Sequence, residues 1–576
     1  MNLFIKCFSR WTCSFALCLS VLRAPAQVTV QIVTNFTGST YFNGLNSGNS
    51  TAIPPDPNGA IGPKHFVELI NGSFTVYDKT HGTNVQRIAD WKFWQNAGLS
   101  AISSGTGLAD PRIIYDPVSQ RWFATMVDFD ANAAGLGEDY TLEANDFLLA
   151  VSTNSDPRSF PNSSGSGAGS WHGFIFQADP DSGAFADFPT MGLDGEGVRI
   201  SGDMFHGMDN PVGAALVSIP KADLITNTPT IANLTWFGVM SHADRGQVLQ
   251  PVTCFDGTSH GNILAAGDVG SDGNPHSNLV CFAVTNATGP GAGLTDSTNL
   301  IVSPYLIPFN VDNIDPPQGW FTVPQPDNTT TLSGNDARFS SRVYAVGGVI
   351  YAVHSTELNG RMAIRWYRIS AANQALLEAG TIADTDLDLF FPSIAANADG
   401  TVIVGCNGSS VNMNVSCYAI AGQTINGVTT FGSLILLQSG VTSYHGDDEL
   451  LAELLDEPLL SRWGDYSTLS VDPTDPTRFW SIQMLPPDAD NSDVWSTEIT
   501  ELLTSQPLPL LGIAVAGTNV LVSWPGSANG FQLQAAVSLT PAAAWTNVVQ
   551  TLSTNGGIIS ALVPVSGHQQ FFRLQK

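Results

Sequence analysis

The sequence predicts an all-β architecture, a six- or seven-bladed β-propeller followed by a small β-sandwich. Three observations predict it. A strand–turn–strand unit recurs along the 576 residues, helical patterns are scarce, and Gly (55) and Pro (34) abound while only 12% of residues are charged. Charged residues average roughly 25% in globular proteins, so the surface here must draw on Ser, Thr, Asn and Gln. Hydrophobic content of 43% is enough to bury large cores.

The clearest copies of the unit are DPRIIYDPVSQRWFATMV from Asp110, DFPTMGLDGEGVRISGDMF from Asp187, FPSIAANADGTVIVGCN from Phe391 and DYSTLSVDPTDPTRFWSIQ from Asp465. In each, alternating apolar residues run into a turn on Asp-Pro, Asp-Gly or Gly-Glu-Gly, and a β-branched or aromatic run follows. That is a hairpin pattern. Looser copies begin near Asp56, His260 and Arg338, and further strands follow near Phe147, Leu279 and Ile364. Six or seven such units, each unable to cover its own faces, must stack on one another. A pair of unrelated sandwiches explains the recurrence less well.

The chain ahead of the units reads as an export signal. Lys6 and Arg10 precede an apolar stretch from Trp11 to Leu22, and Ala24-Pro25-Ala26 offers small residues for cleavage after Ala26. That stretch is shorter than the ~20 apolar residues of a membrane span, and no later segment is long enough. The expected organisation is a signal peptide over 1–26, an N-terminal extension over 27–50, the propeller over 51–504 and the sandwich over 505–576. Without Lys6, Arg10 and Arg23, 19 of the 22 basic residues face 50 acids, a formal charge of −31. This charge excludes nucleic acid, whose affinity rests on Lys and Arg, and argues against anionic membranes.

Two helices are expected, Ala371 to Ala379 and Asp447 to Leu460, the latter with acids in its first turn. Ser155 to Ser170 reads as a loop, and QPLPL from Gln506 as a linker. The final segment carries short strands around Trp524 and Trp545. Four cysteines remain after the leader. The local pairs Cys254 with Cys281 and Cys406 with Cys417 are the natural disulfides of an oxidising compartment, among three possible pairings. Asn71-Gly-Ser and Asn407-Gly-Ser are glycosylation sequons.

Three stretches, DPNGAIGPKHFVELING from Asp56, DPRIIYDPVSQRW from Asp110 and RWGDYSTLSVDPTDPTRFW from Arg462, resemble the secreted bacterial sialidase-like (BNR-type) propeller proteins, whose functions are largely uncharacterised. The tail resembles small β modules appended to exported bacterial proteins. The resemblance spans most of residues 50–576 and implies a propeller. It does not carry sialidase catalysis with it: no SxDxGxTW box occurs, and the family's arginine triad and tyrosine nucleophile find no matching positions.

Candidate chemistry lies at the starts of the units. Asp56, Asp110, Asp187, Asp336, Asp388 and Asp465 each stand at or just before an inner strand, so a propeller would gather them around one axial mouth, with Arg112, Arg338 and Arg462 beside three of them. Such a ring could bind a cation, an amine or sugar hydroxyls. A suitable pair, with Asp110, Asp465, Asp56 and Asp336 as candidates, could act as acid and base on a glycoside. The alternative role is capping turns and pairing locally with arginine. Trp463 and Tyr466 are candidate ligand contacts, whereas Trp122 and Trp480 read as core. Acid-rich loops around Asp128 and Asp130, around Asp268 and Asp272, and from Asp488 offer oxygen ligands of the kind calcium takes. No HExxH, P-loop or CxxCH pattern occurs. The sequence leaves two functions open: a propeller that binds or scaffolds an extracellular glycan or protein, and a sialidase-like hydrolase or lyase using axial carboxylates.

Overall fold

The computed structural model describes residues 28–41, 50–161, 170–208, 210–270, 273–308, 322–327, 331–334, 336–446, 460–505, 511–525, 531–539, 544–555, 558–565 and 569–575. The leader, the 447–459 stretch and the 506–510 linker lie outside the described residues. The chain divides into two compact units, a larger one of Val30–Gly422 with Phe431–Thr504, and a smaller one that contains Ser505–Lys576.

The larger unit is built from runs of four antiparallel strands. Strand β1 (Thr29–Thr40) comes first. The first run is β2 (Asn58–Ile61), β3 (His65–Ile70), β4 (Ser73–Asp78) and β5 (Asn84–Ala89). The second is β6 (Gly107–Asp116), β7 (Arg121–Phe129), β8 (Asp146–Ser152) and β9 (Trp171–Gln177), and the third is β10 (Phe185–Leu193), β11 (Gly197–Phe205), β12 (Pro211–Pro220) and β13 (Thr235–Met240). The fourth comprises β14 (Gln247–Pro251), β16 (Asn262–Ala266), β17 (Pro275–Thr285) and β19 (Thr298–Leu306), with short β15 (Thr253–Cys254) and β18 (Gly293–Leu294) beside it. Short β20 (Thr322–Val323) and β21 (Thr331–Ser333) follow. The fifth run, β22 (Tyr344–Val346), β23 (Val349–Leu358), β24 (Arg361–Ser370) and β25 (Leu376–Ile382), joins the fourth through β19–β23 and β15–β22 pairing. The sixth is β26 (Asp388–Ala396), β27 (Thr401–Ser410), β28 (Met413–Ile425) and β29 (Val428–Gln438). After β30 (Leu460–Ser461), which pairs β21, come β31 (Thr468–Val471), β32 (Arg478–Leu485) and β33 (Ser496–Ser505). Their fourth strand is β1, from the other end of the chain.

The first strand of each run is the inner one. β2 packs on β6, β6 on β10, and β10 on β14 and β15. β15 pairs β22, β22 packs on β26, β26 on β31, and β31 returns to β2. This closed circuit of sheets is a propeller arrangement, as the recurring unit implied. Apolar side chains fill the spaces between successive sheets, Trp122 and Trp480 among them.

The Asp-Pro and Asp-Gly turns have a clear role. Where a carboxylate ends or directly follows an inner strand, as at β6, β10 and β31, it is satisfied from the next sheet around the circuit. Asp116 pairs with Lys221 at 2.6 Å, Asp472 with Lys79 at 2.6 Å, and Asp194 accepts the Gly261 N–H at 2.7 Å. Breaking such a buried pair strands a charge, which is why the acid recurs.

A second repeated device sits earlier in the inner strands. Asp110, Phe188, Val248 and Phe391 have φ of 62°, 49°, 52° and 46°, and the ladders break register there. Asp56, with φ 52°, precedes β2 in the same way. These are β-bulges. Proline follows at positions 57, 111, 189 and 392, where an absent N–H suits a gap in the ladder.

Several expectations are corrected. Within the expected extension over 27–50, Thr29–Thr40 is β1 and completes the last sheet. Ala371–Ala379 is not helical: Ala371–Asn373 is a turn and Leu376–Ile382 pairs with β24, sheet hydrogen bonds overriding a weak helical preference. The four cysteines are free and buried. Cys406 packs with Val404 and Tyr418 in one intersheet core, while Cys417 hydrogen-bonds the Met484 carbonyl on the opposite face. Strand side chains alternate, so these two thiols point apart. Cys254 donates to Asp256 at 3.2 Å, and burial pushes Cys281 up to about 12. Alkylation in denaturant, without reductant, is therefore expected to label Cys254, Cys281, Cys406 and Cys417 fully; protection of any one of them would revive a disulfide. Asn71 and Asn407 are buried and hydrogen-bonded, so neither sequon is open to a glycan.

In the smaller unit, β34 (Gly512–Ala516), β35 (Asn519–Pro525), β39 (Ile558–Pro564) and β38 (Leu552–Asn555) form one sheet. β37 (Thr546–Asn547), β36 (Gln532–Ala536) and β40 (Phe571–Gln575) form another. Val520, Val522, Trp524, Leu533, Ala561, Val563 and Phe572 share one core. Trp545 is only half-buried, with the Arg573 guanidinium 4.4 Å from its ring.

Candidate functional site

The bulges place the candidate acids. Asp56, Asp110, Asp187 and Asp465 lie at or near the N-terminal ends of inner strands, and the circuit brings them to one region. Asp56 accepts the Asp465 N–H at 2.9 Å and the Asn71 side-chain amide at 2.8 Å. The other end of the Asn71 amide accepts the Asp110 N–H at 3.0 Å. Asp110 accepts the Phe188 N–H at 2.9 Å, and Asp203 accepts the Val248 N–H at 3.2 Å. These carboxylates therefore hold bulge and loop amides of neighbouring sheets, donors that no strand partner satisfies.

The arginines lie among them. Arg112 donates to the carbonyls of Pro189 at 2.7 Å and Ser340 at 3.0 Å. Its guanidinium stacks 3.6 Å from the Tyr466 ring centroid and 5.1 Å from that of Phe188. Arg338 forms a bidentate pair with Asp336 at 2.7–2.9 Å and lies 4.8 Å from the Phe188 ring. Arg462 meets Asp465 at 3.2 Å. Asp465, Arg462, Asp336 and Arg338 each remain partly exposed, as do Asp187 and Tyr140.

Crowded, dry acids keep their protons longer. Burial, then the charge of Asp465, raises Asp56 to about 7. Burial, with Asp56 and Asp465, raises Asp110 to about 7, and burial with Asp110 raises Asp187 to about 7. Burial, then Asp187 and Asp110, pushes Tyr140 up to about 12. Burial opposes the Arg338 cation, but Asp336, Asp203 and Asp465 outweigh it and hold its pKa above the ordinary value.

Of the residues singled out in the sequence, Asp56, Asp110, Asp187, Asp336, Asp465, Arg112, Arg338, Arg462 and Tyr466 come together. Asp388 does not: it accepts the Met362 N–H at 2.8 Å and pairs with Arg361 at 3.1 Å. Trp463 is not a ligand contact. It is wholly buried against Phe390 and Tyr444, and its indole N–H donates to Asn407 at 3.2 Å. Asn71, Tyr140, Phe188 and Asp203 were missed. An aromatic before proline, in DFP, marked Phe188 as a bulge residue; nothing local marked the others.

The acid-rich loops are locally satisfied. Asp128 accepts the Asp146 N–H at 2.7 Å, Asp130 caps a short helix at Ala131–Gly135, and Asp268 accepts from Gly270 and Gln247. Asp272 lies outside the described residues. Among the described residues, no three His, Cys, Asp or Glu side chains are grouped to hold a metal ion, and no helix is long and apolar enough to cross a membrane.

No family model and no curated protein matches the sequence. Solved structures do resemble it. A protein of unknown function from Dyadobacter fermentans shares 11% identity over 70% of this chain and 96% of its own, with a TM-score of 0.35. The α-L-arabinofuranosidase Arb93A of Fusarium graminearum shares 8% over 81% and 97%, at 0.37. An α-L-arabinanase of Penicillium chrysogenum shares 11% over 81% and 98%, at 0.34.

Proposed function

We propose that this chain is an exported seven-bladed β-propeller, followed by a small β-sandwich, that binds a glycan at the mouth where the inner strands begin. One observation carries the reading. Partly exposed Asp187, Asp465, Arg462 and Tyr140 stand around an acid pair, Asp56 and Asp110, whose lone pairs already serve protein amides. Carboxylates accept from sugar hydroxyls, arginine donates to them, and a tyrosine face packs on a pyranose ring. The buried acids shape this mouth and are poorly free to attack a substrate.

A polysaccharide panel on residues 27–576, with and without calcium, scoring retention and product release together, tests this. Retention without release is expected, and Asp187→Asn or Arg462→Gln should weaken it about tenfold, the worth of one charge-assisted hydrogen bond. Undiminished retention in both variants would remove the site. A second reading, glycoside cleavage, draws on the carboxyls poised near pH 7. Product release that disappears in Asp465→Asn and in Asp110→Asn would establish it over binding.

A further inference from the structure

The same inner strands end in a second chamber. A cavity of about 110 Å³ is lined by Ala60 and Ile61 of β2, Tyr115 of β6, Tyr344 of β22, Ala395 of β26 and Leu469–Val471 of β31, together with Arg342 and Phe255. Ile61, Tyr115 and Leu469–Val471 sit at or near the C-terminal ends of β2, β6 and β31, whose N-terminal ends carry the acid cluster, while Tyr344 opens β22.

Most of the polar groups of this cavity are donors with unused capacity. Among the described residues, Arg342 makes one hydrogen bond, to the Ile113 carbonyl at 2.7 Å, and no ion pair. A guanidinium has five N–H donors, so most are unused. The Ser470 hydroxyl is buried and has no partner among the described residues. The hydroxyls of Tyr115 and Tyr344 likewise make no hydrogen bond to a described residue. The one acid in the lining, Asp472, is already occupied by Lys79 at 2.6 Å, Thr474 at 2.7 Å and the Trp480 indole at 3.3 Å. Burial pulls Arg342 down to about 10, with Arg112 adding repulsion. In a chain of net charge −28, a half-buried arginine that faces a cavity holding no free carboxylate is open to an anionic ligand. The remaining wall is apolar: Ile61, Pro117, Phe255, Leu469 and Pro473.

We propose that this cavity binds a small organic carboxylate. Its carboxylate meets Arg342 and accepts from Ser470 and a tyrosine hydroxyl, and its short apolar body lies against Leu469 and Ile61. The site is separate from the glycan mouth and does not depend on that reading.

Isothermal titration of residues 27–576 with butyrate, propan-1-ol and inorganic phosphate tests it. Butyrate is expected to bind, and neither propan-1-ol nor phosphate to compete. Arg342→Gln should weaken butyrate at least about tenfold, as loss of a charge-assisted pair does. Tyr344→Phe, which keeps the ring and the packing, should weaken it a few-fold while leaving the melting temperature unchanged. No butyrate binding by the wild type, equal affinity in Arg342→Gln, or phosphate binding as tightly as butyrate would each overturn the proposal.

Discussion

Glu68→Ala is expected to lower the stability of the larger unit by about 3–5 kcal/mol, since it removes one acceptor shared by four buried donors and relaxation recovers part of the loss. Glu68 is completely buried in β3. It accepts the Ser39 N–H at 3.2 Å, the Ser39 hydroxyl at 2.7 Å, the Tyr77 hydroxyl at 2.7 Å and the Thr497 hydroxyl. Ser39 belongs to β1 and Thr497 to β33, the two strands that join the ends of the chain. Glu68 therefore ties the closing sheet to the first one. Truncation leaves those donors without their acceptor inside a buried seam, each loss costing about 1–3 kcal/mol before relaxation. The measurement is urea unfolding followed by tryptophan fluorescence. Glu68→Gln should lose less, since an amide oxygen can still accept. Ser39→Ala and Glu68→Ala should be strongly non-additive, because they remove the same bonds. A loss below about 1 kcal/mol in Glu68→Ala would mean the seam is held elsewhere.

The second large effect is a pH dependence with an unusual sign. Asp56, Asp110 and Asp187 ionise near 7 in the folded chain, against an ordinary 3.8. Between those values the folded state holds protons that the unfolded state has released. Their stabilisation is complete below pH ~4 and disappears as pH rises through ~7. Each carboxyl that keeps its proton contributes a fall of up to about 1.4 kcal/mol per pH unit across that window. Asp194 works in the opposite sense. Burial opposes its charge, but Arg199 and three backbone amides hold its pKa below normal, so its contribution is lost only as pH falls below the ordinary range. The readout that isolates the axial acids is Asp110→Asn against wild type, melted from pH 5 to pH 8. The variant should be the more stable at pH 8, where it removes a charge from a crowded site. It should lose that advantage toward pH 5, where wild-type Asp110 is itself neutral. Parallel curves across the range would show that Asp110 ionises normally.

Much of the fold was legible in short stretches. YDPVSQRW and VDPTDPTRFW announce hairpins, because an Asp-Pro turn between alternating apolar runs leaves the backbone few alternatives. The buried fate of Trp122 and Trp480 follows from the same alternation. The gathering of Asp56, Asp110, Asp187, Asp336 and Asp465 could be read once a circuit was inferred, since equivalent positions of stacked units converge. Asp388 shows the limit of that step: it begins an inner strand too, yet it is drawn to Met362 and Arg361 of a neighbouring sheet.

What the sequence by itself determined is the local grammar: strands, and the Asp-Pro and Asp-Gly turns that join them. These depend on hydrogen bonds and side-chain periods within about ten residues. Only the tertiary structure decided that Thr29–Thr40 closes the last sheet, that Cys406 and Cys417 face opposite sides, that Trp463 is core, and that Asp56 meets the Asp465 amide. Each of these rests on strand parity or on partners brought together from distant parts of the chain. The physical reason is that closing a circuit of sheets fixes which faces meet. No local preference encodes that choice, because a one-residue shift in register would reverse it.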